Sequence, residues 1–280
     1  MILFFEYGRL GNQLFQYQGL KNYFPRHKLL FFGFASLKKS FVNISANFVN
    51  IENQANFFFR VFKKILYFFS EIGIIGKIEH SNNKEFKLYS RPGLLWNIYL
   101  AHKIYFQHSE CVKRIISPPI FKKKSVKIVE NWFKSKNINY KNSNLIFVHI
   151  RRGDYLYWPN LSFPAVLPLA WYNKAILKLK KKIKKPVFII MGDDKYYLHD
   201  VFKESKNLVI SKNSYELDLI IMSYCLHGIL SASSFAWWGS FYAKQNKNSN
   251  YFVAPKYWAG HRSKKVFPSY FFTSWMFYLE

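Results

Sequence analysis

Cysteine is almost absent from this chain, with only Cys111 and Cys225 in 280 residues. The two are far apart and lack metal-type spacing, which excludes a disulfide-stapled scaffold and a cysteine metal site. Both are expected to be free thiols in a reducing compartment. Carboxylates are scarce as well, Asp+Glu numbering 15 against 42 Lys+Arg, for a formal charge of +27. Arginine is itself a minority among the cations, occurring at positions 9, 26, 60, 91, 114, 151, 152 and 262. No apolar run approaches the roughly 18 residues of a spanning helix. The amino-terminal MILFFEYGRLGNQ has no basic segment ahead of its apolar residues and no cleavage site. The expectation is a cytoplasmic protein, soluble or peripheral at the inner membrane surface.

Aromatic residues are abundant, with 30 Phe, 20 Tyr and 8 Trp, and half of the chain is hydrophobic. That composition excludes a disordered tail, and the length suffices for one large or two ordinary domains with a real core. The positive charge has two readings. Lysine crowded together with Asn, Ile, Phe and Tyr is the composition of an AT-rich genome, so the excess can be mutational bias on solvated faces. The selected alternative is attraction to an anionic membrane leaflet, where each Lys or Arg adds about 1 kcal/mol. Nucleic acid is not expected as a partner, although a non-catalytic basic module binding nucleic acid or membrane is the rival class of function.

Apolar runs and turn residues divide the chain. Ile2 to Phe5 reads as a strand, followed by a glycine turn at Gly8 and Gly11 and a helix over LFQYQGLKNYF. Lys28 to Phe34 is a second apolar run. Ala55 to Phe69 is apolar around most of its circumference, with Arg60, Lys63 and Lys64 interrupting; a buried helix is the expectation, and a helix in a membrane interface the alternative. Residues 80 to 125 carry no clean period. Val126 to Lys136 predicts a helix, and the polar KNINYKNSN after it is the expected domain boundary, giving domains 1–140 and 141–280. The closing residues are a candidate to pack back on the first domain. In the second half, strands are predicted at 145–148, 186–194, 208–211, 227–231 and 250–258, with helices at 171–183, 196–203, 215–225 and after Ser234. Strands alternating with helices at this spacing predict a parallel sheet of βαβ units. The polar clusters at 149–154, 193–194 and 231–234 would then share the sheet edge where α/β folds bind ligands.

The motifs HIRRGDY (149–155), GRLGNQLFQY (8–17), MGDD (191–194) and SASSFAWWGS (231–240), with LPLAWYNKAI and VAPKYW, resemble those of the family 11 α-1,2-fucosyltransferases. The resemblance implies a GT-B type α/β fold, two Rossmann-like domains facing across a cleft, the first binding acceptor and the second GDP-sugar. It implies an inverting transfer of L-fucose from GDP-β-L-fucose to the 2-hydroxyl of a galactoside, in surface polysaccharide biosynthesis, with a lipid-linked acceptor among the candidates. No cofactor and no metal are expected. The chain departs from the family's GGLGNQ in having Arg9 at the second position.

The chemistry assigns roles to these residues. A leaving diphosphate needs fixed positive charge, which a bidentate guanidinium supplies, and Arg151 is the candidate. Arg152 would point to the other face and be structural, paired with an acid. By resemblance, Asp218 and His149 are candidates for the guanine edge, with Ser233, Ser234 and Phe235 near base or phosphates. The structural alternatives are a helix N-terminal charge for Asp218 and a satisfied core histidine for His149. Asp193 and Asp194 could serve nucleotide or sugar; an aspartate pair also suggests Mg²⁺, which the neighbouring arginines would make redundant. Asp154 is the candidate general base, or else a salt-bridge partner of Arg152 or a cap to the next turn. Gly8, Gly11, Asn12 and Gln13 are candidate substrate contacts in the first half.

Overall fold

The computed structural model describes residues 1–51, 57–81, 86–245, 250–258, 261 and 273–280. The chain forms two compact units, Met1–Ile120 and Phe121–Glu280. The boundary therefore lies 20 residues before the expected 140/141. The helix α5 (Lys123–Ser135) packs within the second unit: the Tyr224 hydroxyl donates to Glu130 at 3.2 Å, and Phe133 meets the rings of Tyr140 and Tyr224 at 5.2 and 5.5 Å. The polar stretch 136–144 is thus a turn inside that unit. Polar turns join elements as readily as domains, and only the packing of α5 distinguishes the two cases.

The first unit is built on β1 (Ile2–Phe5), β2 (Leu29–Phe32), β3 (Asn47–Val49), β4 (Ile75–His80), β5 (Leu88–Arg91) and β6 (Leu95–Ala101). They lie in the order β3-β2-β1-β6-β4-β5, parallel except for β5 against β4. The unreadable region thus supplies two strands, one of them beside β1. The first three residues of β6 are exposed and only its last two, Leu100 and Ala101, are buried, so neither an alternating nor a continuous apolar signal spans it. On the sheet lie α1 (Leu10–Tyr23), α2 (Ala35–Ser40) and α3 (Phe57–Glu71), with α4 (Ser109–Lys113) beyond it in sequence.

The helix α3 corrects the expectation of a buried helix. Phe59, Leu66, Tyr67 and Phe69 pack on a core of Leu3, Phe5, Phe32, Ile75 and Leu100, yet of its residues Ser70 alone is buried and an apolar face is left toward solvent. The first two residues of the segment predicted as helix, 55 and 56, lie outside the described residues. Its all-round hydrophobicity is not a sign of burial on both sides.

The second unit holds β7 (Asn144–Ile150), β8 (Pro186–Gly192), β9 (Leu208–Ile210), β10 (His227–Ile229), β11 (Phe252–Pro255) and β12 (Met276–Leu279), all parallel. Their order is β12-β11-β10-β7-β8-β9. Taken by rank along the chain this is the doubly wound dinucleotide-fold order, in which the winding reverses between β7 and β10 and opens a crevice at their carboxyl ends. The closing residues form β12 at the edge of this same sheet. Strands β7 and β8 are almost wholly buried, which is why they read as unbroken apolar runs.

The helix α6 (Leu169–Lys182) turns Trp171, Tyr172, Ala175, Ile176 and Leu179 inward onto Ile146, Val148, Phe188 and Ile190, and leaves its lysines outside. Burial of this stripe is what holds α6 to the sheet; removing the Trp171 side chain would cost about 3–5 kcal/mol. The remaining helices are α7 (Lys195–Val201), α8 (Tyr215–Tyr224) and α9 (Ser234–Gln245). Both cysteines are free and buried.

Candidate active site

The residues that end β7, β8 and β10 come together at the carboxyl edge of the second sheet. His149 and Ile150 close β7, Gly192 closes β8 opposite Ile150, and Ser231 follows β10. A hydrogen bond of 2.7 Å between His149 Nδ1 and Ser231 Oγ spans the reversal point itself. The His149 ring also lies 5.5 Å from that of Phe235. Burial, with Arg151 and Lys195 nearby, holds this imidazole far below the usual range, at about 3. His149 is therefore neutral at physiological pH and acts through hydrogen bonding, not charge.

Beyond the strand, the chain turns through Gly153–Leu156, a short 3-10 turn. Arg151 is held there between two acids. Its Nη1 forms an ion pair with Asp193 Oδ2 at 2.7 Å, and its Nη2 donates to Asp154 Oδ1. The two acids differ in setting, the Asp154 side chain being 57% exposed and that of Asp193 21%. Asp193 also accepts from the Arg152 backbone N–H at 2.8 Å, so it ties the turn to β8. Gly153, at φ +21°, makes this approach possible, because a Cβ there would lie 2.5 Å from Asp193 Oδ2.

Arg152 turns the other way. Its Nε donates to Asp194 Oδ2 at 3.1 Å and its guanidinium lies 3.6 Å from the Tyr197 ring centroid. Asp194 in turn caps α7 by accepting from the Tyr197 N–H at 3.0 Å. Arg152 is thus paired with an acid, and the acid is Asp194. The reading of Asp154 as a partner of Arg152 is corrected: three residues on from Arg151 in a tight turn, Asp154 faces the first arginine.

Asp218 sits in the first turns of α8, almost fully buried, with its carboxylate accepting from Ser211 Oγ and from Lys195 Nζ at 3.3 Å. Burial pushes its pKa up to about 6, against the opposing pull of Lys195 and Ser211. Lys195 donates as well to the Ser211 carbonyl at 2.9 Å. Ser233 is buried, Ser234 begins the 12-residue helix α9, and Phe235 is half-buried beside His149. A helix starting just past the reversal point presents N–H groups suited to an anion.

The four first-half candidates belong to the other unit, at the corresponding edge of its sheet. Gly8 has φ +81°, and a Cβ there would lie 2.2 Å from the Asn12 amide. Arg9, in contrast, is extended at φ −91°, which any L-residue adopts. The turn makes its demand on Gly8, so the Arg9 departure leaves it intact. Asn12 accepts from Gln107 Nε2 at 2.7 Å; Gln13 accepts from the Leu37 N–H at 3.1 Å; Gly11 is buried in the first turn of α1. These contacts bind the turn to its own unit.

Sequence reasoning missed Lys195, Ser211, Ser231 and Tyr155. The Tyr155 hydroxyl donates to the Ala232 carbonyl at 2.6 Å and its ring lies 5.3 Å from the Arg151 guanidinium. Ser231 and Tyr155 lie inside the quoted motifs, and Lys195 directly follows MGDD. Position relative to a strand end was the available signal.

Two Rossmann-like units, the second with arginines and a helix start at its reversal point, define the class as a GT-B type glycosyltransferase. Residues 7–278 match the family described as Glycosyl transferase family 11, and the chain belongs to that family. An alpha-1,2-colitosyltransferase from Escherichia coli is 27% identical over 280 residues, 90% of each chain. The O-antigen biosynthesis glycosyltransferase WbnK from Escherichia coli is 31% identical over 137 residues, 47% of this chain and 45% of that one. Galactoside alpha-(1,2)-fucosyltransferase 2 of Rattus norvegicus is 25% identical over 107 residues, 36% of this chain and 30% of that one. Among solved structures, POFUT1 in complex with GDP-fucose shares the fold at a TM-score of 0.57 and 9% identity, over 90% of this chain and 97% of that one. The α-1,6-fucosyltransferase NodZ co-crystallised with GDP does so at 0.51 and 12%, over 85% and 91%.

Proposed function

We propose that this chain transfers L-fucose from GDP-β-L-fucose to the 2-hydroxyl of a galactoside, with inversion at C1 and without a metal ion. The observation that carries the reading is the pairing of Arg151 with one sheltered and one exposed carboxylate at the β7–β10 reversal point. Asp193 keeps the guanidinium aimed while the exposed Asp154 is exchangeable for phosphate oxygens. As the bond from C1 to the β-phosphate oxygen breaks, its electron pair stays on GDP, where Arg151 and the start of α9 with Ser233 and Ser234 offset the growing charge. The acceptor oxygen bonds to C1 from the opposite face, and its proton passes to Asp154, released from Arg151 by the donor. Asp218, His149 and Phe235 are assigned to the guanine, the ionised carboxylate of Asp218 suiting its N1–H and N2–H₂. Arg152 and Asp194 support the site from behind, and Gly8, Gly11, Asn12 and Gln13 are assigned to the acceptor. A lipid-linked galactoside in surface polysaccharide assembly is an acceptor of the proposed class.

A second reading, a colitosyl donor in place of a fucosyl one, is favoured by the colitosyltransferase that matches over 90% of both chains. One experiment separates the two. The protein is incubated with each donor and a panel of galactosides, and the product linkage is determined by NMR. An α-1,2-fucosyl product is expected; transfer of colitose alone, or a product linked elsewhere, overturns the first reading.

A further inference from the structure

The outer face of α3 carries exposed apolar side chains. Phe58, Val61, Ile65, Phe68 and Ile72 recur at helical spacing along it, and all are exposed, Phe58 to 80% and Phe68 to 59%. The segment Leu94–Trp96 extends this face. Leu94 N–H donates to the Gly73 carbonyl and Leu95 N–H to that of Ile74, both at 2.8 Å, which fixes the segment beside the end of α3. There Leu94 is 76% and Trp96 85% exposed. A solvated helix gains nothing from such a stripe, and a core helix would have covered it.

The charges beside the stripe decide what covers it. Arg60 and Lys64 are exposed on α3, Lys63 lies half-buried between them in sequence, and the one carboxylate of the helix, Glu71 at its end, is paired with Lys77 at 2.9 Å. Phenylalanines and a tryptophan level with long cationic side chains suit the boundary between acyl chains and anionic headgroups. A second copy suits it poorly. A two-fold contact would set Arg60 and Lys64 against their own duplicates, on chains of +27 charge each. Among the described residues no helix is long and apolar enough to cross a membrane, so contact through α3 is contact along the surface.

We propose that the outer face of α3 together with Leu94–Trp96 docks the protein on an anionic phospholipid surface, the aromatic and aliphatic side chains entering the acyl boundary and Arg60 and Lys64 meeting the phosphates. The inference is independent of the donor and acceptor assigned above, since binding is read without any reaction.

The test is sedimentation of the full chain with vesicles of phosphatidylcholine alone or with about 30% phosphatidylglycerol. The parent is expected to pellet with the anionic vesicles and far less with neutral ones. In the variant Phe58→Ser/Phe68→Ser/Trp96→Ser, and separately in Arg60→Gln/Lys64→Gln, the lipid needed for half-binding should rise about tenfold or more. Unchanged circular dichroism and melting confirm folding; should the triple variant not fold, the charge variant alone decides. Failure of the parent to bind, equal binding to neutral vesicles, or unchanged binding by the variants overturns the proposal. So does light scattering that shows a parent dimer lost in the variants, which would make this face a self-interface.

Discussion

Arg151 Nη1 and Asp193 Oδ2 form an ion pair at 2.7 Å, joining the carboxyl end of β7 to that of β8. The same aspartate holds the Arg152 N–H at 2.8 Å, so one carboxylate sets both the backbone turn and the direction of the guanidinium. On this basis we propose Asp193 as a positioning residue and Arg151 as the group offered to the donor.

Replacing Arg151 with Ala should lower kcat by about 10²–10³. Arg151→Lys should recover little, since a point charge cannot bind two oxygens in parallel. Asp154→Asn should lower kcat by about 10²–10⁴ with little change in donor KM. Steady-state kinetics on GDP-fucose check this, and full activity in Asp154→Asn removes Asp154 as the base.

Gly153→Ala tests the turn. The added methyl would lie 2.5 Å from Asp193 Oδ2, so either the carboxylate or the backbone must shift. A misplacement of this kind can cost about 10² in kcat. Circular dichroism should show the fold retained, because the turn is outside the sheet core. Unaltered kinetics would show that Arg151 is aimed by something other than Asp193.

Activity should persist in excess chelator. Asp193 is occupied by Arg151 and the Arg152 N–H, and Asp194 by Arg152 and the cap of α7, so neither aspartate offers the open oxygens that Mg²⁺ requires. Loss of activity on chelation and its return with Mg²⁺ would reassign both aspartates.

Acidification should destabilise the protein through its buried histidines. His149 and His227 are held down to about 3 and about 4 in the fold, whereas each takes a proton near 6.5 when unfolded. Their contribution is complete above pH 6.5 and is lost as pH falls toward those values. Asp218 works in the opposite sense. Its pKa rises from 3.8 to about 6 on folding, so its contribution is complete below 3.8 and is lost as pH rises through 6. Melting profiles should therefore steepen between pH 4 and 6 in Asp218→Asn and flatten in His149→Gln, each compared with the parent. Parallel profiles for all three proteins would contradict the buried states assigned here.

The sequence alone determined the strands β7 to β11 of the second unit, though not β12, and the sheet edge that carries the candidate site. Strands buried on both faces must be apolar throughout, so 145–148 and 186–192 stand out, and βαβ alternation brings their polar ends to one side. The first unit was far less legible. Strand β6 is buried only at its last two residues, and α3 is apolar on an exposed face, so local pattern misstates both. Tertiary structure also decided which acid meets which arginine. Asp154, Asp193 and Asp194 are interchangeable to a pattern of residue types, but the turn at Gly153 brings Asp154 and Asp193 to Arg151 and leaves Asp194 for Arg152. Spacing along the chain places charges at a strand end; their pairing depends on backbone direction after the strand, which long-range contacts with β8 set.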